Sequence, residues 1–276
     1  MQQTRKDSEF TPVHVSVIIP TLDEAENLPA CIRSVGAGLP GVEIIVSDGG
    51  STDGTTAVAA NLGARVVAAP VRHRASQLNL AAQYANGGVL LFLHADTLLP
   101  AGWLESLQSA FRSEPELAGG AFRRRFDSDS LILRATCALG SMRSRILGWF
   151  LGDQAMFVLT AEFWRLGGFR PLDTCEDLDF SVRLSGSSKT RLLGPPVLSS
   201  ARRFRNRGPF VQSMLDIRHA VRFLVSRTTS QTAATPLDSR EAAARSPRAG
   251  HRLAFPPSAE PRGSRRIHPH HPPFPS

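Results

Sequence analysis

Acidic side chains in this chain fall in short groups where turns are expected, and their types and spacing admit three kinds of chemistry. Asp23 and Glu24 follow Pro20-Thr21; Asp48 opens the run Asp48-Gly49-Gly50-Ser51-Thr52-Asp53-Gly54; Asp96 closes His94-Ala95-Asp96; Glu176 and Asp177 stand side by side. Carboxylates so placed can hold hydroxyls, coordinate a hard cation or take a proton from a reacting group. Arg74 and the pair Arg202-Arg203 carry the opposite charge, and guanidinium suits phosphate by bidentate contact. Each group also has an ordinary structural explanation. Residues 20–27 can be a strand end and helix cap, and Ser51 or Asp53 can cap the next helix. Acids such as Glu176 and Asp177 favour a helix N-terminus, and Arg202-Arg203 can be a solvated basic loop.

The elements around these groups favour a functional edge. Residues 15–19 and 42–47 are short β-branched runs, residues 64–68 a third, and residues 88–93 a fully apolar fourth. Such runs are expected to be buried strands. Residues 23–35, 55–62, 76–85 and 100–111 carry helical patterns between and after them. Strands alternating with helices predict an α/β fold, a single Rossmann-like domain with a mostly parallel central sheet flanked by helices. In such sheets ligands bind beyond the carboxyl ends of the strands. Asp23 and Glu24, Asp48 and Asp96 all fall at those ends.

Further along, residues 118–126 read as a strand containing Arg123, Arg124 and Arg125, residues 154–160 as another, and residues 175–184 as a helix opening with acids. The stretch 131–151 is apolar, with Arg134, Arg143 and Arg145 as its charges. The favoured expectation is a helix packed on the sheet with its arginine stems snorkelling outward. The second is a helix lying at a membrane surface or over an acceptor.

The chain has 276 residues, 42% apolar, enough for one domain and an appendage. It divides into an N-terminal extension over 1–14, a catalytic domain over 15–227 and a tail over 228–276 expected to be disordered, since Ser, Pro, Arg and His replace apolar periodicity there. Five of the eight net positive charges lie from Arg227 onward. The remaining balance is ordinary, so no specific nucleic-acid partner is expected. Cys31, Cys137 and Cys175 are far apart and odd in number. That opposes a disulfide framework or zinc site and suits a cytoplasmic protein, with the inner face of the cell membrane as one location.

Taken in order, residues 17–24, residues 46–54, Arg74 with Asn79, residues 91–96, Gly167-Gly168-Phe169 and Glu176-Asp177 followed by Arg183 resemble the family 2 glycosyltransferases, which have the GT-A fold. The likeness runs from about residue 15 to about residue 210. It implies transfer of a sugar from a nucleotide-diphosphate donor to an acceptor, with inversion. It also implies donor binding by Pro20, Thr21, Glu24, Asp48, Arg74, Asp96, Arg202 and Arg203. The family's Asp-x-Asp is here His94-Ala95-Asp96, a bacterial variant, leaving Asp96 as the ligand for Mg²⁺ or Mn²⁺. Asp177 is the implied base with Glu176 in support, and Asp153 and Gln154 are placed near the acceptor or transferred sugar. The apolar stretch 131–151 makes a lipid one acceptor class and peripheral membrane contact one partner. Two alternatives remain: a nucleotide-sugar-binding relative without turnover, and a nucleotidyltransferase. The second is disfavoured because residues 20–27 are acidic and lack the glycine-rich phosphate loop such enzymes open with.

Overall fold

The computed structural model describes residues 13–36 and 38–202, together with residues 204, 208, 211, 214, 218 and 222. Residues 1–12 of the expected extension, Arg203 and all of the expected tail lie outside the described residues. In chain order the elements are β1 (Val15–Thr21), α1 (Leu28–Val35), β2 (Val42–Asp48), α2 (Thr55–Asn61), β3 (Arg65–Ala68), α3 (Arg74–Gln83), β4 (Val89–Phe92) and β5 (Thr97–Leu98). They continue with α4 (Trp103–Ser113), β6 (Leu117–Phe126), α5 (Leu131–Leu147), β7 (Met156–Leu159), α6 (Thr160–Arg165), α7 (Glu176–Ser187) and β8 (Lys189–Ser199). A short 3-10 turn, Gly152–Gln154, precedes β7.

The strands form one sheet in the order β3-β2-β1-β4-β7-β6-β8-β5. β1 pairs in parallel with β2 and β4, and β2 with β3, so this half is the expected parallel α/β unit. β4 then pairs antiparallel with β7, and β7 with β6, while β6 and β8 run parallel. The α/β fold with a mostly parallel sheet is therefore the observed one.

Alternation along the strands builds the core. Val17 and Ile19 join one apolar layer with α1 and α4, where Leu28, Ile32 and Leu107 are fully buried. Ile18, between them, faces the opposite layer with Leu78 and Ala81 of α3 and Phe180 and Leu184 of α7. Side chains of successive strand residues point to opposite faces. A parallel strand covered on both faces must therefore be apolar at every position, as residues 15–19 are apart from the buried Ser16.

Several element boundaries differ from expectation, and each has a local cause. α1 begins at Leu28, not Asp23. Asp23 adopts φ 52°, and residues 23–25 are tied to the turn after β2 instead of to a helix. α5 ends at Leu147, not at residue 151, because Gly148 takes a left-handed φ of 65° and its N–H caps Ser144 O at 3.1 Å.

The largest departure concerns how α5 faces the sheet. Its apolar side chains point outward: Leu131 is 76% exposed, Leu139 63% and Ile146 73%, while Leu133 and Ser144 are its buried residues. Arg143 instead turns inward, donating to Trp149 O and Gln154 Oε1. The expected apolar face is therefore turned outward; of the three arginines Arg143 departs from expectation, while Arg134 and Arg145 are exposed as expected. The sequence pattern showed no face for this helix because small residues and arginines interrupt its apolar positions. No helix among the described residues is long and apolar enough to cross a membrane.

Candidate active site

The loop after β1 and the loop after β2 are stitched into one rim. Asp23 N donates to Ser51 Oγ at 2.8 Å, and Thr52 N returns a bond to Asp23 Oδ1 at 2.8 Å. Glu24 N donates to Thr55 Oγ1 and Ala25 N to Asp53 Oδ2, each at 2.9 Å. Beneath this rim the buried Asp48 accepts from Thr21 Oγ1 at 3.0 Å, Gly50 N at 2.9 Å and Ser51 N at 2.8 Å. Burial alone would raise the Asp48 carboxyl; the hydrogen bonds from Ser51, Gly50 and Thr21 outweigh it and hold the group below its ordinary value. Gln77 of α3 fixes the two strand ends together, its amide donating to Thr21 O and Ser47 O at 2.9 Å each. Sequence reasoning missed Gln77, since a lone amide inside a helix carries no motif.

Three of the sequence-predicted residues meet across the chain at this rim. Arg202, just past β8, reaches Glu24 Oε1 at 2.8 Å and Asp96 Oδ2 at 3.5 Å. Burial, with Glu24 and Asp153 nearby, raises the Asp96 carboxyl against the pull of Arg202. Asp96 thus has carboxylate neighbours and one cationic partner, which suits it to a further cation. Among the described residues no three His, Cys, Asp or Glu side chains converge as a metal cage. Mg²⁺ and Mn²⁺ bound with phosphates need only one or two protein carboxylates, and Asp96 supplies a hard oxygen donor of that kind.

A second group gathers around the N-terminus of α7. Glu176 is buried and its Oε1 lies 3.2 Å from Arg74 Nε. Burial and the adjacent Asp177 raise the Glu176 carboxyl, with Arg74 opposing them. Asp177 Oδ2 accepts from Gly152 N at 2.5 Å and its Oδ1 from Leu178 N at 2.7 Å. Two backbone donors at the start of α7 thus fix the orientation of this carboxylate. Gly152 is the hub: a Cβ there would lie 2.6 Å from His94 Nε2, 2.7 Å from Arg74 Nη2 and 3.0 Å from Asp177 Oδ2. Pro20, Arg74, His94, Gly152 and Asp177 wall one small cavity. His94 therefore faces Arg74 and Asp177, which the resemblance did not indicate.

The third group lies under α5. Asp153 Oδ2 pairs with Arg124 Nη1 of β6, while Asp153 Oδ1 and Arg124 Nε are buried without hydrogen-bond partners. Gln154 is buried, and its Oε1 accepts from Leu151 N at 3.0 Å and Arg143 Nη2 at 3.3 Å. Its amide nitrogen turns to Phe122 O at 3.4 Å. Both ends of its amide bind protein and hold the 151–154 turn, on which the expected acceptor-side residue Asp153 also lies. Ser181 of α7 secures the same segment, accepting from Phe150 N at 3.0 Å.

Asn79, Gly168, Phe169 and Arg183, which entered the sequence comparison as separate motifs, form one clamp. Asn79 Nδ2 donates to Phe169 O at 2.8 Å and Phe169 N to Asn79 Oδ1 at 2.9 Å. Arg183 pairs with the buried Asp179 at 2.8 Å and donates to Leu166 O and Gly168 O at 2.7 and 2.8 Å. These residues fix α7, and with it Glu176 and Asp177, relative to α3 and Arg74.

Known proteins resemble this chain in sequence and in fold. An uncharacterized glycosyltransferase of Mycobacterium bovis is 34% identical over 111 residues, covering 40% of this chain and 49% of the relative. The polyprenol monophosphomannose synthase of Mycolicibacterium smegmatis is 46% identical over 75 residues, 26% of this chain and 27% of that one. The chain thus spans about half the length, or less, of the curated relatives it matches. A mannosyltransferase from Pyrobaculum calidifontis, solved with GDP-Man and Mn²⁺, shares the fold with a TM-score of 0.54 at 22% identity, covering 69% of this chain and 57% of its own. The family model for glycosyl transferase family 2 matches residues 16–166, more than half of the sequence, and the chain belongs to that family.

Proposed function

We propose that the protein transfers a sugar from a nucleotide-diphosphate donor to an acceptor, with inversion at the anomeric carbon. The observation that carries this reading is the meeting of Thr21, Glu24, Asp48, Asp96 and Arg202 at the carboxyl edge of β1, β2 and β4, with Asp177 on the neighbouring α7. In this reading Asp48 and Glu24 hold the base and ribose, Pro20 and Thr21 shape the pocket, and Arg74 and Arg202 face the diphosphate or sugar. Arg203 belongs to the same proposed loop but lies outside the described residues. Asp96 would hold Mg²⁺ or Mn²⁺, which when bound neutralises the charge that develops on the departing diphosphate. The family likeness and the Mn²⁺ and GDP-Man of the Pyrobaculum enzyme support that assignment.

The transfer itself asks Asp177 to accept the acceptor's proton as the new C–O bond forms and the sugar–phosphate bond breaks. A carboxylate held in place by Gly152 N and Leu178 N suits this role. Glu176, buried and paired with Arg74, positions that guanidinium toward the leaving group. Asp153, on the turn that Gln154 secures, stands on the acceptor side.

For the acceptor we favour a lipid, reached by peripheral contact of α5 with the inner face of the cytoplasmic membrane. Leu131, Leu139, Met142 and Ile146 are exposed on that helix, Arg134 and Arg145 flank them, and α5 contains no acidic residue. Such a face suits an anionic lipid surface. The polyprenol named in the Mycolicibacterium relative belongs to the same acceptor class.

The test is donor binding and turnover. UDP- and GDP-sugars are screened by calorimetry and hydrolysis, with and without Mn²⁺, on wild type and Asp96→Ala. Metal-dependent binding lost in the variant is the expected result. Binding without hydrolysis or transfer to any lipid acceptor identifies a relative without turnover, and no binding to any donor overturns the reading.

A further inference from the structure

Arg143 is a cation in an unusual position. It turns inward from a helix most of whose large apolar side chains turn outward, and among the described residues its guanidinium donates to neutral oxygens, Trp149 O at 3.2 Å and Gln154 Oε1 at 3.3 Å. Among the described residues no carboxylate lies within 4 Å of it, although most of the interior arginines of this chain have one, as Arg124 and Arg183 do. The group is largely withdrawn from water, and its nearest like charge is Arg124; burial first and Arg124 second weaken its hold on its proton. The carboxylates it senses, Asp153 and Asp177, are committed elsewhere, to Arg124 and to Gly152 N.

A half-buried guanidinium without a carboxylate gains from an anion that completes it. The same place holds a second donor with capacity to spare: Arg124 is paired with Asp153, and its Nε is buried without a hydrogen-bond partner among the described residues. Both arginines border the 149–154 segment that also supplies the hydrogen bond to Asp177.

We propose that Arg143, with Arg124 beside it, is the receptor for an oxyanion of the acceptor, a phosphate or a carboxylate, and that this contact sets the acceptor's reacting oxygen beside Asp177. The inference rests on the sugar-transfer reading and narrows it: the acceptor is an amphiphile with an anionic head, its chain lying along the exposed apolar face of α5. Charge-assisted bidentate bonds to guanidinium are the strong class of hydrogen bond, and their loss in a dry site lowers affinity by roughly tenfold to a hundredfold.

The experiment titrates the full chain with decyl phosphate, decanoate and decanol, three probes of one chain length that differ in head group. It is repeated on Arg143→Gln, Arg143→Lys and Arg33→Gln, an exposed arginine on α1, with circular dichroism melts to verify folding. Wild type is expected to bind at least one anionic probe roughly tenfold or more tighter than decanol. Arg143→Gln brings that ratio to about one, Arg143→Lys keeps part of it, and Arg33→Gln keeps all of it. The anionic probe that wins identifies the head group. Equal binding of all three probes by wild type, or an unchanged ratio in Arg143→Gln, overturns the proposal. A merely structural arginine would weaken the three probes alike and leave the ratio intact. Donor affinity is measured in parallel: absent donor binding with an intact head-group ratio sinks the sugar-transfer reading and leaves the oxyanion site standing.

Discussion

The two halves of the sheet treat their carboxylates differently, although Ser47 Oγ and Arg74 Nε in the first half, like Asp153 Oδ1 and Arg124 Nε in the second, are buried without hydrogen-bond partners among the described residues. Around β1, β2 and β3 the loop carboxylates are already satisfied by the protein: Asp23, Asp48 and Asp53 each accept two or more bonds from their own or adjacent segments. Around β6, β7 and α5 the interior is left incomplete. Asp153 Oδ1 and Arg124 Nε are buried without partners, Arg143 has neutral acceptors only, and α5 shows its apolar side chains to solvent. A site built to bind a constant ligand can be prearranged by its own hydrogen bonds. A site that is completed by its ligand leaves groups for that ligand to satisfy. On our reading the first half takes the nucleotide, whose chemistry is shared across the family, and the second takes the acceptor.

The sharpest way to break this comparison is at the junction. Asp177→Asn is expected to lower transfer by about 10²- to 10⁴-fold, the usual contribution of a general base, with donor affinity unchanged in a calorimetric titration. Transfer within fivefold of wild type would remove Asp177 from the chemistry. Next comes Gly152→Ala, whose methyl group would press on His94, Arg74 and Asp177 together. Displacing reacting groups by a fraction of an ångström is expected to cost transfer roughly tenfold to a hundredfold, and a variant that transfers normally would show the hub is slack.

Asp48→Asn tests the prearranged half. It should cost about 1–3 kcal/mol in urea unfolding at pH 7, because a hydrogen-bonded carboxylate is replaced. Since the Asp48 carboxyl is held below its ordinary value when folded, its stabilising contribution is present above the unfolded pKa of about 3.9 and is lost as pH falls through the folded value. Wild type and variant should therefore converge in acid, and a difference independent of pH would count against the carboxylate's charge as the cause.

Glu176 carries the opposite sign. Its carboxyl is raised by burial and by Asp177, so folding favours the protonated form and stability is lost as pH rises through the folded pKa. Glu176→Gln should melt above wild type at pH 8 and draw level as the pH falls, even as transfer declines. The smallest effect on stability belongs to Leu139→Asp. Leu139 is 63% exposed, so unfolding should move by no more than about 0.5 kcal/mol, while sedimentation with anionic vesicles falls sharply.

Legibility in the sequence follows the same division. Residues 15–19, 42–47 and 88–93 announce strands because both faces of each are buried, and every such strand leads to an acid at the site. What could not be read there depends on side-chain direction. Gln77 and Asn79 act through amides inside an unremarkable helix. The inward turn of Arg143 and the outward turn of Leu139 are set by Gly148 and by the 149–154 segment that α5 must cover, and no periodicity within residues 131–147 encodes them. The Asp23 turn was hidden likewise, because acids before an apolar run look the same whether they cap a helix or knit two loops.

The paired bonds between Asn79 and Phe169 bridge 90 residues of sequence and tie α3, beside the nucleotide half, to the turn that leads toward α7. The Phe169 amide proton is thereby a clock for the whole domain. It exchanges with deuterium when its bond to the Asn79 amide opens, so its exchange rate sets a lower bound on the free energy of parting the two halves, to be compared with that of complete unfolding. A slow rate matching global unfolding would mean that the halves part only when the protein unfolds. A faster one would mean that this clamp opens short of global unfolding, loosening the tie between α3 and the segment leading to the α7 carboxylates.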